Sequence, residues 1–275
     1  MKKILIGALL LTGCALPVMA CTGISATAKD GGYVQARTIE WGDSYLPSQY
    51  VVIPCGHEMI SYTPKGMNGA KFRARYGVVG LSIVLKDFVV EGLNEAGLSA
   101  GLFYFPHYGN YPAYDAKQNT RTVADLQLVA WMLSQFSTIE EIKAAMQDIR
   151  VVSVDTTGAS STVHWRIGDA NGRQVVLEFV DGVPCFYENE IGVLTNSPGF
   201  PWQMTNLNNY VNLYPGGAEA HQLGGVTVFP FGAGSGFQGI PGDVTPPSRF
   251  VRAAFYKATA PQCACLLYTS DAADE

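Results

Sequence analysis

The chain has 275 residues, 48% of them hydrophobic, and a formal net charge of −5 from 18 basic and 23 acidic side chains. That is enough apolar material for one large core or two small ones, and the mild, scattered acidity excludes a nucleic-acid-binding surface. The 30 glycines, 14 tyrosines and 13 phenylalanines point to strands joined by tight turns.

Lys2 and Lys3 precede an apolar run, Ile4 to Leu11, and the small-residue ending Val18-Met19-Ala20. These are the charged, apolar and cleavage regions of a secretory signal peptide over residues 1–20. Cleavage after Ala20 makes Cys21 the first residue of an exported, periplasmic chain, so a thiol and a free α-amine share one residue. An amine of reference pKa about 8 can act as local base for a thiol of about 8.5. That chemistry is the signature of an amidohydrolase with an N-terminal nucleophile. A rival lies upstream. Leu11-Thr12-Gly13-Cys14 has the form of a lipobox, and processing there would block the Cys21 amine, leaving a non-catalytic, lipid-anchored envelope binding protein. Beyond the leader no apolar run approaches the ~18–20 residues of a membrane span.

Residues 21–26 and 33–39 read as two strands of a hairpin turned by Lys29-Asp30-Gly31-Gly32. Residues 50–53, 76–81 and 88–93 read as strands, and Asn94-Glu95-Ala96-Gly97 turns the chain into another at 98–105. Helical periodicity begins at Thr122, with Leu126, Val129, Leu133 and Phe136 on one face. Ser137 and Glu140 form a capping-box pattern ahead of a second helix, whose stripe is Ile139, Ile142, Met146 and Ile149. Strands resume at 163–169 and 174–180 around Ala170-Asn171-Gly172, then at 184–187 and 191–195. A short helix is expected over 202–209, a long loop over 216–242 and a helix over 248–258. Strand runs with adjoining helices imply a layered antiparallel α+β fold. Cys55 and Cys185 are either a disulfide or two buried thiols. Residues 263–275 have neither core periodicity nor a natural terminal element and read as an artefactual tail on a chain cut short. The catalytic domain is therefore expected over 21–262. His57, His107, His164 and His221 lack metal-ligand spacing, and structural roles are their default reading.

Five phrases occur in a characteristic order: Cys21-Thr22-Gly23, Arg37-Thr38-Ile39-Glu40-Trp41, Asn94-Glu95-Ala96-Gly97-Leu98, Leu194-Thr195-Asn196-Ser197-Pro198 and Ser248-Arg249-Phe250-Val251-Arg252. In these the chain resembles the choloylglycine hydrolase family of bile salt hydrolases and penicillin V acylases. The leader and Glu40-Trp41 look like its exported Gram-negative branch. The resemblance implies a four-layer αββα sandwich of antiparallel sheets and hydrolysis of a linear amide C–N bond without metal or organic cofactor. It implies Cys21 as nucleophile, passing through a thioester, and Arg37 as the cation beside it. Asn196 matches an oxyanion-hole residue and Arg249 the last arginine of the charge network. Glu40 stands where the family more often has aspartate, so its place is either an orienting carboxylate or a structural one. A further oxyanion donor is expected after Gly101-Leu102, where Phe103 cannot donate; Tyr104 is the nearest donor, on the opposite strand face if the register holds. Trp41, with Phe103, Phe105, Tyr108 and Tyr111, is a candidate for an apolar acyl pocket. The implied partner is a small N-acyl amide, such as a conjugated bile salt, penicillin V or an N-acyl homoserine lactone, and the sequence allows a homo-oligomer.

Overall fold

The structure is a computed structural model that describes residues 19–41, 46–154 and 162–264. Cys14, residues 1–18 of the expected leader, and residues 265–275 of the expected tail lie outside the described residues.

The N-terminal hairpin is β1 (Met19–Thr27) and β2 (Tyr33–Trp41), closed by a turn in which Gly31 takes a φ of 87° and Ala28 N–H donates to Gly32 O at 2.8 Å. A left-handed residue is cheap there only as glycine. Then come β3 (Ser48–Ile53), a small hairpin of β4 (Glu58–Ile60) and β5 (Lys71–Arg73), and β6 (Val78–Ile83), β7 (Val89–Asn94) and β8 (Ser99–Tyr104). The middle of the chain holds β9 (Thr122–Ala124), α1 (Leu128–Gln135), α2 (Ile139–Ala145) and β10 (Arg150–Val152). Next are β11 (Val163–Gly168), β12 (Gln174–Val180), β13 (Val183–Glu188), β14 (Val193–Leu194) and α3 (Phe200–Asn206). Finally a short exposed hairpin, β15 (His221–Leu223) and β16 (Val226–Val228), precedes α4 (Pro246–Thr259).

A seven-stranded sheet runs β13-β12-β11-β8-β7-β6-β3, and a three-stranded sheet runs β14-β1-β2, every paired step antiparallel. Helix α1 packs on β7 and β8, while α4 packs on β1 and β14. The order of layers is helix, large sheet, small sheet, helix. This is the expected αββα sandwich. Strand alternation splits the large sheet's side chains between two fillings. Leu98, Ala100, Leu102, Trp165 and Ile167 join α1 and α2 in the larger apolar core. Phe103, His164, Arg166, Val176 and Glu178 occupy the alternate, inward positions.

Two helix starts differ from the sequence reading. No helix opens at Thr122: Thr122–Ala124 is a strand, parallel to Arg150–Val152, and α1 begins only at Leu128. Long-range pairing of a β-branched Thr-Val outweighs the helical period. The cap of α2 is Thr138 rather than Ser137. Its Oγ1 accepts from Glu141 N–H at 3.2 Å while Glu141 Oε2 accepts from Thr138 N–H at 3.3 Å, a capping box one residue later than expected. Cys55 and Cys185 are free thiols, and Cys55 is exposed rather than buried. At the chain's far end, the carbonyls of Cys263 and Ala264 accept from Lys29 and Asp30 N–H at 3.0 and 3.2 Å, which ties these two residues to the β1–β2 turn.

Candidate active site

Register places the site. Cys21 pairs with Ile39, and Gly23 with Arg37, so these side chains share the face of the small sheet that looks into the sandwich. Gly23 is needed there because a Cβ would stand 2.6 Å from the Phe103 ring and 2.9 Å from Arg166 Nη1. Cys21 is 5% exposed and packs with Phe103, Leu194, Phe200 and Phe250.

Three of the expected residues meet at the Cys21 main chain. Its N–H donates to Asn196 Oδ1 at 2.9 Å. Arg249 Nη2 donates to the same oxygen at 2.8 Å, and Arg249 Nη1 donates to Cys21 O and Thr22 Oγ1, each at 2.6 Å. Asn196 Nδ2 donates to Tyr104 O at 2.7 Å, leaving its second hydrogen for another acceptor. Arg249 projects from the first turn of α4 and is buried, which pulls its guanidinium down from the usual arginine value, with the nearby charges of Glu40 and Cys21 pushing the other way.

The other expected residues stand apart from this cluster. Arg37 donates to Leu102 O, pairs with Glu91 Oε2 at 3.6 Å and lies 4.0 Å above the Phe103 ring. Arg166 Nη2 reaches the other Glu91 oxygen at 3.0 Å. Two cations thus share one carboxylate between the sheets. The Arg37 position lies two residues along β2 from the partner of Cys21, about 7 Å at strand rise. Glu40 alternates with Arg37 to the opposite face, the one carrying Thr22, and is exposed. Its carboxylate acts on Arg249 and is turned away from the thiol. Phe103 is fully buried at the position where the resemblance implies a donor. Tyr104 is on the other face of β8, and its carbonyl, bonded to Asn196, is what it brings to the cluster. Trp41 ends β2, with its side chain outside the described part.

Sequence reasoning missed the inter-sheet polar layer of Glu91, His164, Arg166 and Glu178. Its signal was present: His164, Arg166 and Glu178 interrupt the apolar runs of β11 and β12 at alternate positions, and buried charges persist only when paired. Among the described residues, no group of three or more His, Cys, Asp and Glu side chains is placed to hold a metal ion.

Comparison with known proteins bears on the family and the fold. Residues 21–264 match the choloylglycine hydrolase family of linear amide C–N hydrolases. The chain is 32% identical over 241 residues to the bile salt hydrolase/transferase of Clostridium perfringens, covering 86% of this chain and 71% of that one. It is 24% identical to the penicillin V acylase of Pectobacterium atrosepticum, covering 81% of this chain and 55% of that one. Among solved structures, a variant of the conjugated bile acid hydrolase of Clostridium perfringens superposes with a TM-score of 0.77 at 28% identity, covering 92% of this chain and 78% of that one. The penicillin V acylase of Agrobacterium tumefaciens shares the fold, with a TM-score of 0.71 at 24% identity over 92% of this chain and 70% of that one. From its matched residues and its layered fold, this chain belongs to the choloylglycine hydrolase family and is an amidohydrolase acting on linear amides.

Proposed function

We propose that removal of residues 1–20 exposes Cys21 as an N-terminal nucleophile, and that the exported protein cleaves N-acyl amides with bulky apolar acyl groups in the periplasm. The observation that carries this reading is that Asn196 Oδ1 holds the Cys21 nitrogen itself, at 2.9 Å, with Arg249 braced against both. Any buried backbone N–H needs an acceptor; here the acceptor is a side-chain amide that is itself braced by an arginine, the arrangement that a free amine in this place would need.

As a free amine, that nitrogen still donates one hydrogen to Asn196, and its lone pair takes the proton of the Cys21 thiol. The thiolate attacks the amide carbonyl, and the second Asn196 Nδ2 hydrogen meets the developing oxyanion. The amine returns its proton to the leaving nitrogen as the C–N bond breaks, leaving an acyl thioester on Cys21. Water, deprotonated by the same amine, adds to the thioester carbonyl; the sulfur leaves and regains a proton, and the acid is released. Arg249 fixes the carbonyl end of Cys21 throughout, so the nucleophile cannot turn in its strand. Conjugated bile salts, penicillin V and N-acyl homoserine lactones are the candidate substrates. Phe103, which cannot donate, does not choose between bile salt and penicillin chemistry, and the broader acylase reading is the one proposed.

Acyl release from a panel of these three amides, by mature protein and by Cys21→Ser and Cys21→Ala variants, tests the reading. It is falsified if Cys21→Ala keeps full activity. Intact mass of the exported protein separates the two N-termini: a chain starting at lipidated Cys14 would favour the anchored binding protein instead.

A further inference from the structure

His164 and Glu178 lie side by side on β11 and β12 and are almost wholly enclosed, at 0% and 1% exposure. His164 Nδ1 is 3.0 Å from Glu178 Oε1, and Nε2 is 3.0 Å from the carbonyl oxygen of Thr195. A carbonyl only accepts, so Nε2 carries a hydrogen. Glu178 Oε1 also accepts from Phe200 N–H at 2.8 Å. One buried pair therefore grips both ends of the segment that carries Asn196, from Thr195 to the start of α3. The ring of His164 is stacked on Phe105 at 4.3 Å, with the planes 6° apart, so it cannot swing away.

The rest of the turn is anchored more loosely. Thr195 Oγ1 donates to Pro246 O at 3.1 Å, and Gln203 Nε2 reaches the carbonyls of Asn196 and Pro198, each at 3.4 Å. Among the described residues, the His164 contact is what holds the peptide immediately before Asn196 from the large sheet. That sheet also carries Tyr104, whose carbonyl takes one Asn196 hydrogen.

Resting on the nucleophile reading above, we propose that the His164–Glu178 pair is a positioning device for amide hydrolysis. It sets the Thr195-Asn196 peptide so that the remaining Nδ2 hydrogen of Asn196 points at the oxyanion. Retaining two buried polar side chains in the interior is seldom favourable to stability compared with apolar packing. The pair's geometry at the turn gives it a use that packing alone does not.

The test measures three quantities on the mature protein: steady-state kinetics on the best amide of the panel, the alkylation rate of Cys21 by iodoacetamide, and Tm. His164→Phe keeps the stacked ring but removes the donor, and the His164→Phe/Glu178→Leu pair also removes the orphaned carboxylate. His164→Gln keeps a donor for the Thr195 carbonyl. The expected result is a loss of kcat of about 10- to 100-fold in both Phe variants, the cost of a misplacement on the ångström scale. KM stays within about twofold; the Cys21 alkylation rate falls less than kcat, because the shifted peptide weakens the Asn196 Oδ1 contact to the amine while alkylation needs no oxyanion donor, and His164→Gln regains most of kcat. Parental kcat in the double variant overturns the proposal, and so does an equal fall of kcat and alkylation in all three, which a merely structural role would give. Activity that survives Cys21→Ala would instead defeat the nucleophile reading itself, so the two failures are distinguishable.

Discussion

Asn196 holds the Cys21 nitrogen through Oδ1 and gives one Nδ2 hydrogen to Tyr104 O; in the proposed mechanism the other Nδ2 hydrogen meets the oxyanion. Asn196→Ala should therefore lower kcat/KM by about 10²- to 10³-fold, the typical effect of losing one oxyanion donor. Comparing the variant's kinetics with its Cys21 alkylation rate checks this. Unchanged kcat/KM would remove Asn196 from the mechanism. Gly23 makes the opposite kind of prediction, one of space. Since a Cβ would meet the Phe103 ring at 2.6 Å, Gly23→Ala should destabilise the fold by about 1–3 kcal/mol, the range for overpacking. Urea denaturation measures that difference, and a neutral result would mean that β1 and β8 do not approach this closely.

At the level of elements, much was legible beforehand because local signals and tertiary pairing agreed. The hairpin that presents Cys21 follows from Lys29-Asp30-Gly31-Gly32, and the β11–β12 turn from Ala170-Asn171-Gly172, where Gly172 takes a φ of 85°. The start of α1 was not legible, since Thr122–Ala124 finds its partner only 28 residues later at Arg150. The charged inter-sheet layer was hidden for a related reason: Glu91, Arg166 and Arg37 come from three separate strands, and only register brings them together. Just after β9, Asp125 is buried, and this burial pushes its carboxyl up from 3.8 to about 7 despite hydrogen bonds from Leu126 and Val154 N–H and Ser153. A raised folded-state pKa means the native chain binds the extra proton, so this contribution is complete below about pH 4 and is lost as pH rises to about 7. The total is on the order of 4 kcal/mol at 1.36 per pKa unit. Stability against pH for Asp125→Asn should lose that slope between pH 4 and 7; an unaltered slope would show that Asp125 titrates normally. Thr138→Ala, removing the capping-box hydroxyl of α2, should cost about 1 kcal/mol by the same denaturation.

Across the whole molecule, the small sheet covers only part of the large one. Tyr33, Val34 and Ile39 of β2 and Tyr50, Val79, Leu81 and Leu93 of the large sheet line an open groove of about 840 Å³. Arg37 and Glu91 also line it, while Cys21 does not. Such an exposed apolar surface should bind the dye ANS on the folded protein. Val79→Lys should weaken that fluorescence with Tm nearly unchanged, since Val79 is already 52% exposed. No dye binding by the folded chain would mean that the groove is closed in solution.

The central claim is that the free α-amine of Cys21 is the base that activates its own thiol. The most direct measurement compares amide hydrolysis by a chain beginning at Cys21 with that of the same chain still carrying Ala20. With Ala20 attached, the nitrogen is a peptide N–H that can still donate to Asn196 but has no basic lone pair. The account predicts full turnover only for the chain that begins at Cys21, with both chains folded by circular dichroism. Equal turnover by the two would contradict it.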